Sequence, residues 1–198
     1  MLSVPASLCR AVPAALAGLV ASAAIAASPA LVDAARQQTR GRVGYDGSYV
    51  RIGYPMGDVP ADRGVCTDVI IRAYRAVGID LQVLVHEDMR AHFAAYPAHW
   101  GLARPDPNID HRRVPNLQKY FERAGARING TRVASDYLPG DVVTWSLPGN
   151  LPHIGFVSDR SDDASGRPLI IHNIGAGPVE DDILFAHPIT GHYRFRIQ

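Results

Sequence analysis

At 198 residues the chain has room for one ordinary domain, and an apolar fraction of 47% is enough to build a core. A formal net charge of +1 gives no electrostatic reason to expect nucleic acid. The only basic doublet, Arg112-Arg113, is too short to follow a phosphate backbone.

The N-terminal stretch has its own character. Arg10 is the only charged side chain before Asp33, and it precedes an Ala-rich apolar run from Ala11 to Ala27 with a small-residue cut site at Ala24-Ile25-Ala26. Positive start, short apolar middle and small-residue site predict a secretory signal peptide over residues 1–27 and a single mature domain over 28–198. The protein is therefore expected to be exported, periplasmic or extracellular, with no stable transmembrane segment after cleavage; a retained N-terminal anchor is the alternative. Cleavage removes Cys9 and leaves Cys66 as one unpaired thiol in an oxidising compartment. Such a thiol is reactive, bridges to another chain, or packs as a small inert hydrophobe.

Residues 33–41 read as a short helix or leader, and 41–64, rich in Gly, Tyr, Asp and Pro, as loops with a short extended piece at Tyr49–Ile52. From Val65 to Val77 the apolar positions Cys66, Val69, Ile70, Ala73, Tyr74 and Val77 keep helical spacing, and Gly78 stands where a C-terminal cap belongs. A second helix is expected within Val85–Tyr96 and a third over Pro115–Ala124. Strands follow: Asp141–Ser146, a Pro-Gly-Asn turn, His153–Ser158, a polar turn, Leu169–Ile174, and an alternating C-terminal piece with Tyr193, Phe195 and Ile197 on one face. Helices first and consecutive strands afterwards predict an α+β fold with an antiparallel sheet.

Cys66 falls at the first turn of the clearest helix, where unpaired N–H groups and the macrodipole favour a thiolate. A cysteine nucleophile needs a base, and the base an orienting group. His153 and His172 lie on consecutive strands and meet if both face the same side. His86 and His92 are six apart on a presumed helix and share no face, and His111 follows a loop. There is no His-Glu-x-x-His and no paired-cysteine motif, so no metal or organic cofactor is expected. Asp68, Asp110, Arg112 and Arg113 are candidate contacts for a zwitterionic peptide, or else surface charges and helix caps.

The order of Cys66 at a helix start, Pro139-Gly140-Asp141-Val142-Val143, His153-Ile154-Gly155-Phe156-Val157 and Ile170-Ile171-His172 resembles the NlpC/p60 superfamily of papain-like cell-wall cysteine peptidases. More closely, Asp62–Val69, Asn108–Leu117 and Leu151–Gly155 are similar to the exported bacterial family called domain of unknown function 1287, over roughly 31–198. The resemblance implies an NlpC/p60 fold with helices packed on the sheet, and a cysteine peptidase or amidase acting on peptidoglycan or a small peptide. It implies Cys66 as nucleophile, His153 as base and His172 as orienting group. Tyr54, twelve residues before Cys66, matches the tyrosine that lines the oxyanion site in that superfamily. Val65 precedes Cys66 and Thr67-Asp68 follow it, where the superfamily carries Asp-Cys-Ser-Gly. A non-catalytic cell-wall binding or scaffold protein on the same fold is the alternative reading.

Overall fold

A computed structural model describes residues 29–195, so the expected leader lies outside the described residues. The helices are α1 (Pro29–Gln37), α2 (Cys66–Ala76), α3 (Leu81–His92) and α4 (Val114–Arg123); a two-residue parallel pair, β1 (Gly44–Tyr45) and β2 (Arg63–Gly64), lies between α1 and α2. Six strands follow: β3 (Arg127–Ile128), β4 (Val142–Leu147), β5 (Leu151–Ser161), β6 (Pro168–Asn173), β7 (Pro178–Asp181) and β8 (Ile189–Tyr193). They form one sheet in the order β3-β8-β4-β5-β6-β7, with every pair antiparallel. The fold is thus α+β, helices on an antiparallel sheet, as the element order predicts.

Strand alternation divides the sheet into two unlike faces. On one, Val142, Ile154, Phe156, Ile171 and Tyr193 pack against Leu31 and Ala35 of α1, Val69, Ile70 and Tyr74 of α2, and Leu117 and Phe121 of α4. On the other, Val143, Trp145, Val157 and Ile170 form a smaller cluster with Tyr137 and Leu184, flanked by Ile183, Phe185 and Ile189. Trp145 spends its one donor there, on the Leu184 carbonyl at 3.0 Å.

Several boundaries differ from expectation for local reasons. α3 starts four residues earlier because the Asp80 carboxylate accepts from the Gln82 N–H at 2.9 Å and caps it. Tyr49–Ile52 forms no strand; the Ile52 N–H is held by Asn108 Oδ1 at 3.0 Å, and the extended pairing falls earlier, at Gly44–Tyr45. β7 was not expected, since Pro178-Val179-Glu180-Asp181 carries little apolar signal. Among the described residues no helix is long and apolar enough to cross a membrane.

Candidate functional site

Cys66 is the first residue of α2 and is 5% exposed. The turn that presents it is clamped. Asp68 accepts from the Val65 N–H at 2.7 Å, closing the helix start, and receives Arg112 Nε and Nη2 at 2.8 and 2.9 Å. Arg112 also donates to the carbonyls of Asp46 and Ser48, while Thr67 Oγ1 donates to the Arg112 carbonyl at 3.0 Å. Both members of the ion pair are buried. Asp68 and Arg112 therefore hold the Cys66 turn and offer no free charge to a peptide, which is the capping reading of Asp68.

The sulfur lies against the peptide joining His153 to Ile154. The nearby backbone N–H groups of Ile154, Thr67 and Cys66 favour its thiolate and oppose the larger effect of burial. Burial wins and pushes the thiol up to about 12. The helix N-terminus thus eases proton loss without producing the low-pKa thiol expected from its position alone. His153, 1% exposed, is driven down to about 3 by burial and by the neighbouring His172 and His187. Thiol and imidazole are both neutral at rest near pH 7.

The two histidines meet on the face opposite the helices. His153 Nε2 lies 3.0 Å from His172 Nδ1, and His172 Nε2 lies 2.7 Å from Asp181 Oδ1. A carboxylate only accepts, so His172 Nε2 carries the proton there and His172 Nδ1 is a lone pair. His153 Nε2 must then be the donor, and His153 Nδ1 is left as the unprotonated, basic nitrogen. Among the described residues no hydrogen bond joins it to Cys66.

Gly155 makes this meeting possible. It pairs with His172 across the strands, and a Cβ there would come 2.7 Å from Ile170 Cγ2 and 3.0 Å from His172 Cβ. The His-x-Gly pattern is thus a packing requirement: the space above Gly155 is filled by Ile170 and His172.

The remaining expected residues fall elsewhere. Tyr54 is a correction: its hydroxyl donates to Glu87 at 2.9 Å, and its ring stands edge-on to His86 at 5.2 Å. The tyrosine that feels the Cys66 charge is Tyr45, half-exposed on β1, with its hydroxyl raised by burial, then by Cys66 and Asp68. Asp110 is buried, accepts from the Asp106 N–H, and pairs with Arg113 Nη1 at 3.2 Å. Asp181 and Tyr45 were missed from sequence. Asp181 needs the β6–β7 register, while Tyr45 carries only its place in an Asp/Gly/Tyr-rich loop. Among the described residues no group of three His, Cys, Asp or Glu side chains is placed to hold a metal ion.

The structure is thus an α+β domain with a buried cysteine at a helix start and a His–His–Asp chain on its antiparallel sheet. The chain belongs to the family described as "Domain of unknown function (DUF1287)", whose model matches residues 32–195. It is 53% identical over 169 residues to "Uncharacterized protein YijF" of Escherichia coli (strain K12), covering 85% of this chain and 82% of that protein. No solved structure matches it.

Proposed function

We propose that this protein is an exported cysteine hydrolase of NlpC/p60 type that cleaves amide bonds in peptidoglycan peptides. The observation that carries the reading is the Asp181–His172–His153 chain, which sets the His153 tautomer and leaves Nδ1 as its basic nitrogen, one residue before the Ile154 backbone that acts on the Cys66 thiol. The leader over 1–27 and the NlpC/p60 resemblance supply the substrate class.

With both groups neutral, proton transfer accompanies attack. The Cys66 S–H proton passes to His153 Nδ1 as the Sγ–C bond forms at the amide carbonyl. His172 and Asp181 hold the imidazolium in orientation. His153 then gives the proton to the leaving amine, the C–N bond breaks, and water hydrolyses the thioester with His153 again as base. The N–H groups of Cys66 and Ile154 and the Tyr45 hydroxyl are the donors available to the oxyanion.

One observation favours the non-catalytic cell-wall binding or scaffold reading: the buried thiol raised to about 12. Mass spectrometry of muropeptides incubated with wild-type protein and with Cys66→Ala decides between them. New fragments with wild type alone support the hydrolase; identical peptides in both, with retention of the wall fragments on the protein, support binding.

A further inference from the structure

A second built site lies away from the thiol, between α3, the 93–102 segment and the start of α4. It is a cavity of about 120 Å³ whose walls include Met89, Phe93 and Trp100, with Asp110, Arg113 and Asn116 as its polar groups. Asn116 is 1% exposed. Its Nδ2 donates to the Asp110 carbonyl at 3.1 Å, which fixes the amide's orientation and leaves Oδ1 buried with no partner among the described residues. Arg113 donates through Nη1 to Asp110 Oδ1, and its guanidinium lies 4.1 Å over the Trp100 ring. Its Nε and Nη2 form no hydrogen bond among the described residues.

We propose that this cavity binds the free zwitterion of a small neutral α-amino acid. The ammonium faces Asn116 Oδ1 and the Asp110 carboxylate, the carboxylate takes the remaining donors of Arg113, and a short side chain lies against Met89, Phe93 and Trp100. The chemistry selects this class by elimination. A purely apolar guest leaves the Asn116 oxygen unmet, and a buried acceptor without a partner is unfavourable. A guest with one charge disturbs a wall in which a carboxylate and a guanidinium already balance. A zwitterion meets both charges and the orphan acceptor together. The size agrees, since a cavity of about 150 Å³ holds benzene and alanine has the same six non-hydrogen atoms. Burial holds the Asp110 carboxyl up despite Arg113 beside it, a state that a ligand ammonium relieves. The site is independent of the hydrolase reading, although the same chain segment serves both: Arg112 supports the Cys66 turn, and its neighbours Asp110 and Arg113 line the cavity.

Titration calorimetry of the folded protein with alanine, alaninamide and propionate tests this. Saturable one-to-one binding of alanine is expected, at least tenfold weaker for alaninamide, which lacks the carboxylate, and for propionate, which lacks the ammonium. Affinity should fall at least tenfold in Arg113→Met and in Trp100→Ala, the latter at a 40% exposed position that the fold does not need. It should be unchanged in Cys66→Ala, so failure here is separable from failure of the hydrolase reading. No saturable binding to wild type, or equal affinity in Arg113→Met and Trp100→Ala, overturns the proposal.

Discussion

Two His–Asp pairs lie in the same sheet, and only one leads anywhere. His192 Nε2 bonds Asp141 Oδ2 at 2.6 Å, both side chains fully buried, and Arg194 closes on the same carboxylate at 2.7 and 2.8 Å. The ring stacks on Tyr137 at 4.3 Å, and its Nδ1 has no partner among the described residues. His172 bonds Asp181 at nearly the same distance, but Asp181 is half-exposed and the other His172 nitrogen passes on to His153. The difference teaches that a His–carboxylate pair is given its role by what its second nitrogen touches. The aspartate of the Pro-Gly-Asp motif ties β8 to β4; the aspartate no motif marked ends the chain that runs through His172 to His153.

The contrast can be broken in order of effect. Cys66→Ala should abolish cleavage while leaving the fold intact, read by muropeptide turnover and circular dichroism. His153→Ala should lower turnover by ~10²–10⁴, the usual worth of a positioned general base. Asp141→Ala should cost about 3–5 kcal/mol in urea unfolding, because it strands Arg194 and His192, with turnover per folded molecule unchanged. Gly155→Ala should cost about 1–3 kcal/mol by overpacking and lower turnover as well, since the new Cβ crowds Ile170 and His172.

Acid should act through the buried imidazoles. Burial, with neighbouring cationic groups, holds His153 down to about 3 and His111 down to about 4, against 6.5 for the ordinary group. The unfolded chain therefore binds protons first. Stability is full above about pH 6.5 and falls as pH drops toward 4, by roughly 1.4 kcal/mol per pH unit for each histidine. Urea midpoints at pH 7, 6 and 5 measure it, and a flat profile would show that these rings are solvated. Asp181→Asn should have the smallest effect, a loss of turnover of about tenfold or less with little change in stability.

How much was legible follows from what each feature needs. α2 was readable because its apolar positions keep one helical face, and with it came Cys66 at the first turn. β4, β5 and β6 were readable as apolar runs, and His153 and His172 with them. Asp181 was not, because its place depends on the β6–β7 register, which a short polar strand does not encode locally. Tyr54 matched a spacing counted along the chain, yet the loop carries it to α3 and brings Tyr45 back beside β2. Asp68 and Arg112 looked like free charges until the fold buried them against each other, a pairing across 44 positions that no local pattern marks.

The central claim is that His153 serves as base to Cys66, and alkylation tests it most directly. Iodoacetamide should modify Cys66 in folded wild-type protein at pH 7 at least tenfold faster than in folded His153→Ala, if His153 takes the thiol proton as proposed. Equal rates in the two proteins would contradict the account and leave Cys66 as a buried packing residue.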